Sequence, residues 1–281
     1  MKVAGVQIDV ALGDTTANQA VIREHLEQAQ AAGARLVVFP ECAWTGYCFD
    51  SLEEARELAQ PVPGPATKSL QADCARLGVH TVVGLLEAVG RQVFNTAVLV
   101  GPDGLVARYR KVHLPYLGVD RFTSLGDEPF AVQTIEDLRI GINICYDASF
   151  PEGPRCLAIQ GADLVVLPTN WPPGAARVAE HVINTRAMEN GVYFMAVNRV
   201  GTEGGFRFIG RSCVCGPDGE TLARASDDQP QMFLADIDPQ RARRKRIVRV
   251  PDQHVIDRLA DRRPEMYGEL IQPHQLERPG R

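Results

Sequence analysis

Three polar side chains in this 281-residue chain have types that together suit acyl transfer. Glu41, Lys111 and Cys145 each follow a short apolar segment that is typical of a buried strand. Because the carboxyl ends of neighbouring strands meet at one edge of an α/β sheet, all three are expected to project into one crevice. There, a carboxylate would accept the thiol proton, the thiolate would attack a carbonyl carbon, and the ammonium would stabilise the oxyanion.

Each of these residues also has a plainer interpretation. Taken alone, Cys145 is more typical of a buried structural cysteine, because free cysteine is among the most buried residue types. Glu41 alone suits a carboxylate in a turn, and Lys111 alone suits a surface lysine. The combination at three predicted strand ends is what favours chemistry.

The elements that would position these residues alternate between strand and helix patterns. Predicted strands cover residues 2–9, 35–39, 79–86, 93–100, 105–110, 139–144, 163–167, 192–198, 212–215 and 221–225. Predicted helices cover about residues 16–32, 66–77 and 176–190, with another that ends at Gln160. Pro-Asp-Gly at residues 102–104 and 217–219 predicts two hairpin turns. Mixing βα alternation with hairpins predicts a single α/β domain with mixed sheets covered by helices.

Composition narrows the class of protein. Hydrophobic residues make up 45% of the chain, enough for a sizeable core, and a net charge of −5 argues against a general nucleic-acid surface. The basic run at residues 241–249 is interpreted as a solvated or interface-facing surface. Seven cysteines without a pairing pattern predict a reducing, cytoplasmic location. Neither an export signal nor a membrane span is expected, since the N-terminus lacks a signal pattern and no apolar run approaches roughly 20 residues.

The sequence resembles the nitrilase, or carbon-nitrogen hydrolase, superfamily. The segments that carry the resemblance are VVFPECAWTGY around Glu41, YRKVHLPYLG around Lys111 and GINICYDASFPE around Cys145, supported by ADLVVLPTNWP, RAMENGVYFMAVNRVG, FIGRSCVCGPDGE and DRRPEMY. The resemblance implies a four-layer αββα sandwich formed by residues 1–281 as a single domain. It also implies a catalytic Glu41–Lys111–Cys145 triad that needs no cofactor and no metal, with Lys111 and the backbone N–H of Tyr146 as the oxyanion hole.

The resemblance carries further expectations about assembly and specificity. Family members commonly pair, which predicts a homodimer or higher homo-oligomer with residues 238–281 as a C-terminal arm at the interface. Nitrile-cleaving members tend to have Trp and Glu after the nucleophile, whereas Tyr146 and Asp147 resemble the amidase branches. Many members also carry a second glutamate after the lysine. Here Asp120 occupies that region, so either a supporting role or a plain surface ion pair is open.

Other residues near the predicted strand ends are weaker candidates. Asn170 and Trp171 follow the strand at residues 163–167 and could line the acyl pocket, although a packed aromatic in a turn fits equally. His113 suggests a Cys–His dyad but better suits a structural hydrogen bond. Cys213 and Cys215 share one face of a predicted strand, and no second ligand pair accompanies them as a zinc site would need.

These observations predict an amidohydrolase that cleaves a small carboxamide through a thioester on Cys145 and releases ammonia. Its alternatives are an N-carbamoyl amine or amino-acid amidohydrolase, which would also release carbon dioxide, and a nitrilase. A different class of alternative is a catalytically silent binding protein on the same scaffold.

Overall fold

A computed structural model describes residues 1–226 and 228–280 of the chain. The strands are β1 (Lys2–Gln7), β2 (Leu36–Val38), β3 (His80–Val89), β4 (Gln92–Gly101), β5 (Gly104–Arg110), β6 (Val132–Ile135), β7 (Leu138–Ile142), β8 (Leu164–Thr169), β9 (Tyr193–Asn198), β10 (Thr202–Glu203), β11 (Phe206–Arg207), β12 (Cys213–Cys215), β13 (Thr221–Arg224), β14 (Gln231–Asp236), β15 (Ile247–Val250) and β16 (His254–Ile256). The α-helices are α1 (Thr15–Ala31), α2 (Leu52–Leu58), α3 (Pro65–Leu77), α4 (Glu152–Ile159), α5 (Ile183–Asn190) and α6 (Pro239–Arg243).

Two six-stranded sheets form the centre of the molecule. The first has the order β14-β1-β2-β3-β4-β5 and the second the order β13-β12-β9-β8-β7-β6. In each sheet three strands are parallel, namely β1, β2 and β3 in the first and β7, β8 and β9 in the second. Antiparallel strands flank both parallel groups, so both sheets are mixed, as the sequence predicts.

Alternation along the strands divides the buried side chains between two layers. Val3 of β1 packs into the core between the two sheets, together with Ile140 of β7 and Leu164 of β8. Its neighbour Ala4 instead belongs to a second core beneath α1 and α3. Helices α4 and α5 cover the outer face of the second sheet. The layers are therefore helix, sheet, sheet and helix, which confirms the predicted αββα sandwich.

Several predicted elements differ from the structure in instructive ways. The single helix predicted at residues 176–190 is a wide π-helical segment, Val178–Val182, that continues into α5. Strand β14 was missed, although its buried Phe233 and Ala235 alternate with exposed neighbours and it pairs with β1.

Both predicted hairpins are present, because β4–β5 and β12–β13 are antiparallel pairs across the two Pro-Asp-Gly turns. Within the described residues, no helix combines the length and apolar character needed to cross a membrane.

Candidate active site

Glu41 lies in the turn that follows β2, and a close backbone approach fixes that turn. Phe39 N donates to the carbonyl oxygen of Val82 on β3 (2.9 Å), and Trp44 N donates to the carbonyl of Gly84 (3.0 Å). A Cβ atom on Gly84 would lie 2.3 Å from the backbone nitrogen of Cys42. Only glycine therefore lets β3 support the turn this closely, and the carboxylate of Glu41 is buried as a result.

Lys111 follows β5 directly and points its ammonium into the same buried region. Its backbone nitrogen donates to the carbonyl of Asn95 on the neighbouring strand β4 (2.9 Å). Its Nζ lies 2.6 Å from Glu41 Oε1 and 2.5 Å from Asp120 Oδ2, and all three side chains are shielded from solvent. The lysine is thus held between two carboxylates rather than on the surface.

Asp120 belongs to this buried network and does not lie on the surface. Besides Lys111, its carboxylate accepts hydrogen bonds from the Tyr47 hydroxyl (2.9 Å) and from Asn95 Nδ2 (2.9 Å). Asn95 Nδ2 also donates to Glu41 Oε1 (2.7 Å), so one amide bridges both carboxylates. The surface ion-pair interpretation of Asp120 is therefore wrong: a shorter side chain reaches the lysine because the turn Gly118–Arg121 brings its backbone inward.

Cys145 opens a tight turn after β7, on the second sheet. Its φ is +47°, a left-handed conformation that non-glycine residues seldom adopt and that often marks functional sites. The turn spans Cys145–Ser149, and Arg186 Nε of α5 donates to the carbonyl of Ala148 within it (2.9 Å). Cys145 as a whole residue is 7% exposed, so a small molecule has only limited access to it.

The charges at the site explain its resting protonation. Burial and the negative charge of Glu41 raise the pKa of Cys145 to about 12, against the opposing influence of Lys111 and of Thr169 and Asn170 on β8 and its end. Cys145 therefore rests as a neutral thiol. Burial, with help from Asp120, also raises the pKa of Glu41, although Lys111 and Asn95 oppose the shift.

Lys111 behaves in the opposite way. Burial alone would lower the pKa of its ammonium, but Asp120 and Glu41 outweigh burial and hold that pKa well above its usual value. A permanent cation therefore lies beside the two acids. Such a fixed cation is suited to stabilising negative charge that develops on a substrate oxygen.

The remaining predicted residues lie around the thiol. Tyr146 follows Cys145 in the same turn, and its side chain is 40% exposed. Asn170 and Trp171 follow β8 directly and are buried; Trp171 N donates to Asn198 Oδ1 (2.8 Å). Neither polar atom of the Asn170 side chain has a hydrogen-bond partner among the described residues. His113 Nδ1 lies 2.7 Å from Asp147 Oδ1, which matches the structural hydrogen bond expected for it.

Two supporting residues were missed from the sequence. Asn95 interrupts the apolar pattern of β4, and this polar break inside a buried strand was an available signal. Glu203 lies far along the chain, yet its Oε1 accepts from Tyr47 N and Cys48 N (both 2.7 Å) while its Oε2 pairs with buried Arg199 (2.5 Å). It thereby anchors the loop after Glu41, a long-range contact that no local pattern indicates. Across residues 1–226 and 228–280, no group of three or more His, Cys, Asp or Glu side chains is arranged to hold a metal ion.

The chain is similar in sequence to several known proteins. The chain is 38% identical to a protein named nitrilase from Pyrococcus abyssi, over 95% of this chain and 99% of that protein. It is 31% identical to an (R)-stereoselective amidase from a Pseudomonas species (96% and 94%), and 30% identical to N-carbamoylputrescine amidase from Solanum lycopersicum (92% and 91%).

Solved structures are similar as well. The crystal structure of an amidase from Nesterenkonia sp. has a TM-score of 0.80 and 27% identity, covering 96% of both chains. A mutant of the Nesterenkonia sp. AN1 amidase, with a TM-score of 0.79, 27% identity and 95% of both chains covered, shows covalent addition of the acetamide moiety of fluoroacetamide at the active site cysteine. Finally, the model of the family described as carbon-nitrogen hydrolase matches residues 2–247. The protein is therefore a member of the carbon-nitrogen hydrolase family, whose enzymes hydrolyse carbon-nitrogen bonds other than peptide bonds.

Proposed function

We propose that the protein hydrolyses a small carboxamide to a carboxylic acid and ammonia through a thioester on Cys145. One observation carries the proposal. Glu41 uses Oε1 to bind Lys111 and Asn95, while its Oε2 is buried without a hydrogen-bond partner among the described residues. A buried carboxylate oxygen that is left unpaired beside a neutral thiol is a proton acceptor awaiting a donor.

The proposed reaction begins with proton transfer from the Cys145 thiol to Glu41 as the sulfur attacks the carbonyl carbon. A thiol with a pKa of about 12 gives up its proton reluctantly, so transfer and attack are expected to be concerted. The carbonyl oxygen becomes an oxyanion, which Lys111 and the backbone N–H of Tyr146 stabilise. Glu41 then returns the proton to the departing nitrogen, the C–N bond breaks, and ammonia leaves a thioester behind.

In the second half of the reaction, water replaces ammonia. Glu41 accepts a proton from the water, the water oxygen attacks the thioester carbon, and the C–S bond breaks. Sulfur recovers the proton from Glu41, which restores the neutral thiol and releases the acid. The two halves together consume one water for each amide. We infer that Asn170 and Trp171 line the acyl pocket, since Asn170 is buried and lies at the strand end beside Cys145.

Two relatives favour alternative substrates for the same site. The relative named N-carbamoylputrescine amidase supports an N-carbamoyl amine or amino acid, whose hydrolysis yields an amine, carbon dioxide and ammonia. The relative named nitrilase supports a nitrile, which consumes two waters on the way to the acid. A silent binding protein is disfavoured because the thiol, the base and the cation are all present and buried together.

The test is ammonia release from a panel of short amides, ω-amido acids, N-carbamoyl amines and nitriles, with carbon dioxide measured in parallel. Wild type is expected to act on amides, and Cys145→Ala is expected to release no ammonia. Cys156→Ala is the matched control, because Cys156 is an exposed thiol on α4 and should be dispensable. Ammonia release by Cys145→Ala at the wild-type rate would exclude the thioester mechanism, and nitriles or carbamoyl compounds as the best substrates would select an alternative.

We also propose that the protein works in the cytoplasm as a homodimer. All seven cysteines are free thiols, which a reducing compartment preserves. The C-terminal arm, residues 238–280 of the described chain, exposes large apolar side chains at Met266, Leu270, Ile271 and Leu276. Exposed apolar side chains of this size favour an interface with a second copy. Arg281, the last residue of the predicted arm, lies outside the described residues.

A further inference from the structure

A third buried carboxylate, that of Asp147, lies in the turn that Cys145 opens and has no part in the proposed proton transfers. It is fully buried and accepts four hydrogen bonds. Its Oδ2 accepts from the backbone N–H of Ile144 (2.8 Å) and from the Tyr109 hydroxyl (2.8 Å). Its Oδ1 accepts from the backbone N–H of His113 (3.0 Å) and from His113 Nδ1 (2.7 Å).

The four donors come from the two chain segments that carry Lys111 and Cys145. Tyr109 and His113 stand two residues before and two residues after Lys111, at the end of β5 in the first sheet. Ile144 immediately precedes Cys145, at the end of β7 in the second sheet. One carboxylate therefore fastens the lysine segment to the nucleophile turn, across the boundary between the two sheets.

The same carboxylate supports the unusual backbone of the nucleophile. A left-handed conformation is unfavourable for a non-glycine residue, so the turn at Cys145 needs support from its surroundings. Asp147 provides it, because its backbone N–H donates to the carbonyl of Ile144 (3.0 Å) while its side chain accepts from the N–H of Ile144. The contacts extend outward to Tyr146, since the His113 ring stacks on Phe150 (3.8 Å between centroids) and Phe150 meets the Tyr146 ring edge-on.

We propose that Asp147 is a positioning residue that sets the separation between the Lys111 ammonium and the Cys145 thiol. This inference rests on the proposed function, in which those two groups act on the same carbonyl. Lys111 must reach the oxygen of that carbonyl while the sulfur reaches its carbon. A misplacement of about 1 Å in such an arrangement can cost roughly 100-fold in rate, so a residue that fixes the spacing contributes without touching the substrate.

Asp147→Asn tests this with almost no change of shape. Each carboxylate oxygen accepts from one backbone N–H, that of Ile144 or that of His113, so the amide of asparagine turns its NH₂ group toward one of these fixed donors whichever way it is oriented. Asp163→Asn is the matched control. Asp163 is also a buried carboxylate that accepts from a backbone N–H, that of Arg139, but it lies at the opposite end of β8, roughly 20 Å from Asn170.

The measurements are kcat and KM on the best amide of the panel and the rate at which the Cys145 thiol is modified, either alkylated by iodoacetamide or converted to a methyl disulfide by methyl methanethiosulfonate, followed by intact mass in a Cys156→Ala background. Two reagents are compared: iodoacetamide, whose carbonyl can occupy the oxyanion site, and methyl methanethiosulfonate, which has no carbonyl. In Asp147→Asn we expect kcat to fall about 30- to 100-fold with KM nearly unchanged. The iodoacetamide rate should fall relative to the methanethiosulfonate rate, while Asp163→Asn keeps both kcat and the ratio.

The opposite results overturn the inference. If Asp147→Asn lowers only the melting temperature, as Asp163→Asn does, and keeps the ratio of the two modification rates within about twofold of wild type, Asp147 is merely structural. If wild type hydrolyses no member of the panel, the proposed function fails. The ratio of the iodoacetamide rate to the methanethiosulfonate rate still tests the role of Asp147 in that case, because neither reaction of the thiol requires turnover.

Discussion

Replacing Asp120 by asparagine should reveal what the second buried acid contributes. Asp120 binds Lys111 through Oδ2 and accepts from Asn95 through Oδ1. If the asparagine oxygen keeps Lys111, its NH₂ group faces the NH₂ group of Asn95. Asn95 cannot turn over to relieve this conflict, because the same NH₂ group donates to Glu41. In that orientation one charged hydrogen bond is weakened and one neutral hydrogen bond is lost. In the opposite orientation the NH₂ group faces the Lys111 ammonium, so the charged hydrogen bond is lost and the one from Asn95 is kept.

The expected loss of stability is about 3 kcal/mol, between the value for a hydrogen bond to a charged group and that for breaking a buried ion pair. Lys111 keeps Glu41 as its partner, which limits the loss. If a similar amount is lost in stabilising the oxyanion, kcat falls about 100-fold.

The pH dependence gives the sharper test. Activity requires ionised Glu41, so it declines as the pH falls through the pKa of Glu41. The negative charge of Asp120 helps to raise that pKa. Asp120→Asn therefore lowers it, and the acid limb of the kcat/KM profile moves to lower pH even though the rate on the plateau decreases.

The assay is the profile of kcat/KM against pH for wild type, Asp120→Asn and Asp127→Asn. Asp127 is the control, because its largely exposed carboxylate binds Arg110, the neighbour of Lys111, outside the buried network. Its replacement should leave the acid limb in place. An acid limb that stays put or moves to higher pH in Asp120→Asn would refute the electrostatic reasoning.

Three further predictions follow from the same geometry. Glu41→Gln should lower amide hydrolysis by at least about 100-fold, because the glutamine amide cannot accept the thiol proton that Glu41 takes in the proposed reaction; hydrolysis near the wild-type rate would contradict this. Gly84→Ala should cost about 1–3 kcal/mol of stability and at least tenfold in kcat, because its Cβ would displace the Glu41 turn, whereas Gly174→Ala meets no atom within 4 Å and should change neither. Light scattering with size exclusion should give twice the 30.8 kDa chain mass for the full chain and a monomer after deletion of residues 263–281; a monomeric full chain would exclude the dimer.

The sequence predicts the parts of the site that depend on local pattern. Cys145 follows a turn-bounded apolar segment, and Lys111 and Glu41 follow two others, so the sequence pattern predicts all three strand ends. The contact between Asp120 and Lys111 could not be predicted from the sequence, because it depends on how the turn Gly118–Arg121 packs on Tyr47. Local sequence pattern does not predict this contact, because tertiary contacts set the position of the backbone from which the Asp120 side chain extends.

Other features lie further beyond local pattern. Strand β14 pairs with β1 across more than 220 residues of chain, and its alternation of Phe233 and Ala235 is too short to stand out beside nearby loops. The four hydrogen bonds that the Asp147 carboxylate accepts likewise connect it to residues as far away in the chain as Tyr109, and no sequence periodicity links these positions. The sequence shows that a polar residue, Asn95, interrupts the apolar strand β4. It does not predict which carboxylates Asn95 binds.

The division of the site between the two sheets has a consequence for how the protein matures. Glu41 and Lys111 come from the first sheet and Cys145 from the second, so neither sheet alone contains a complete set of reacting groups. The chemistry becomes possible only when the sheets dock. During refolding, ammonia-releasing activity should therefore return later than the far-ultraviolet circular dichroism of the strands, and a nascent chain that has folded only its first half carries a base and a cation but no nucleophile.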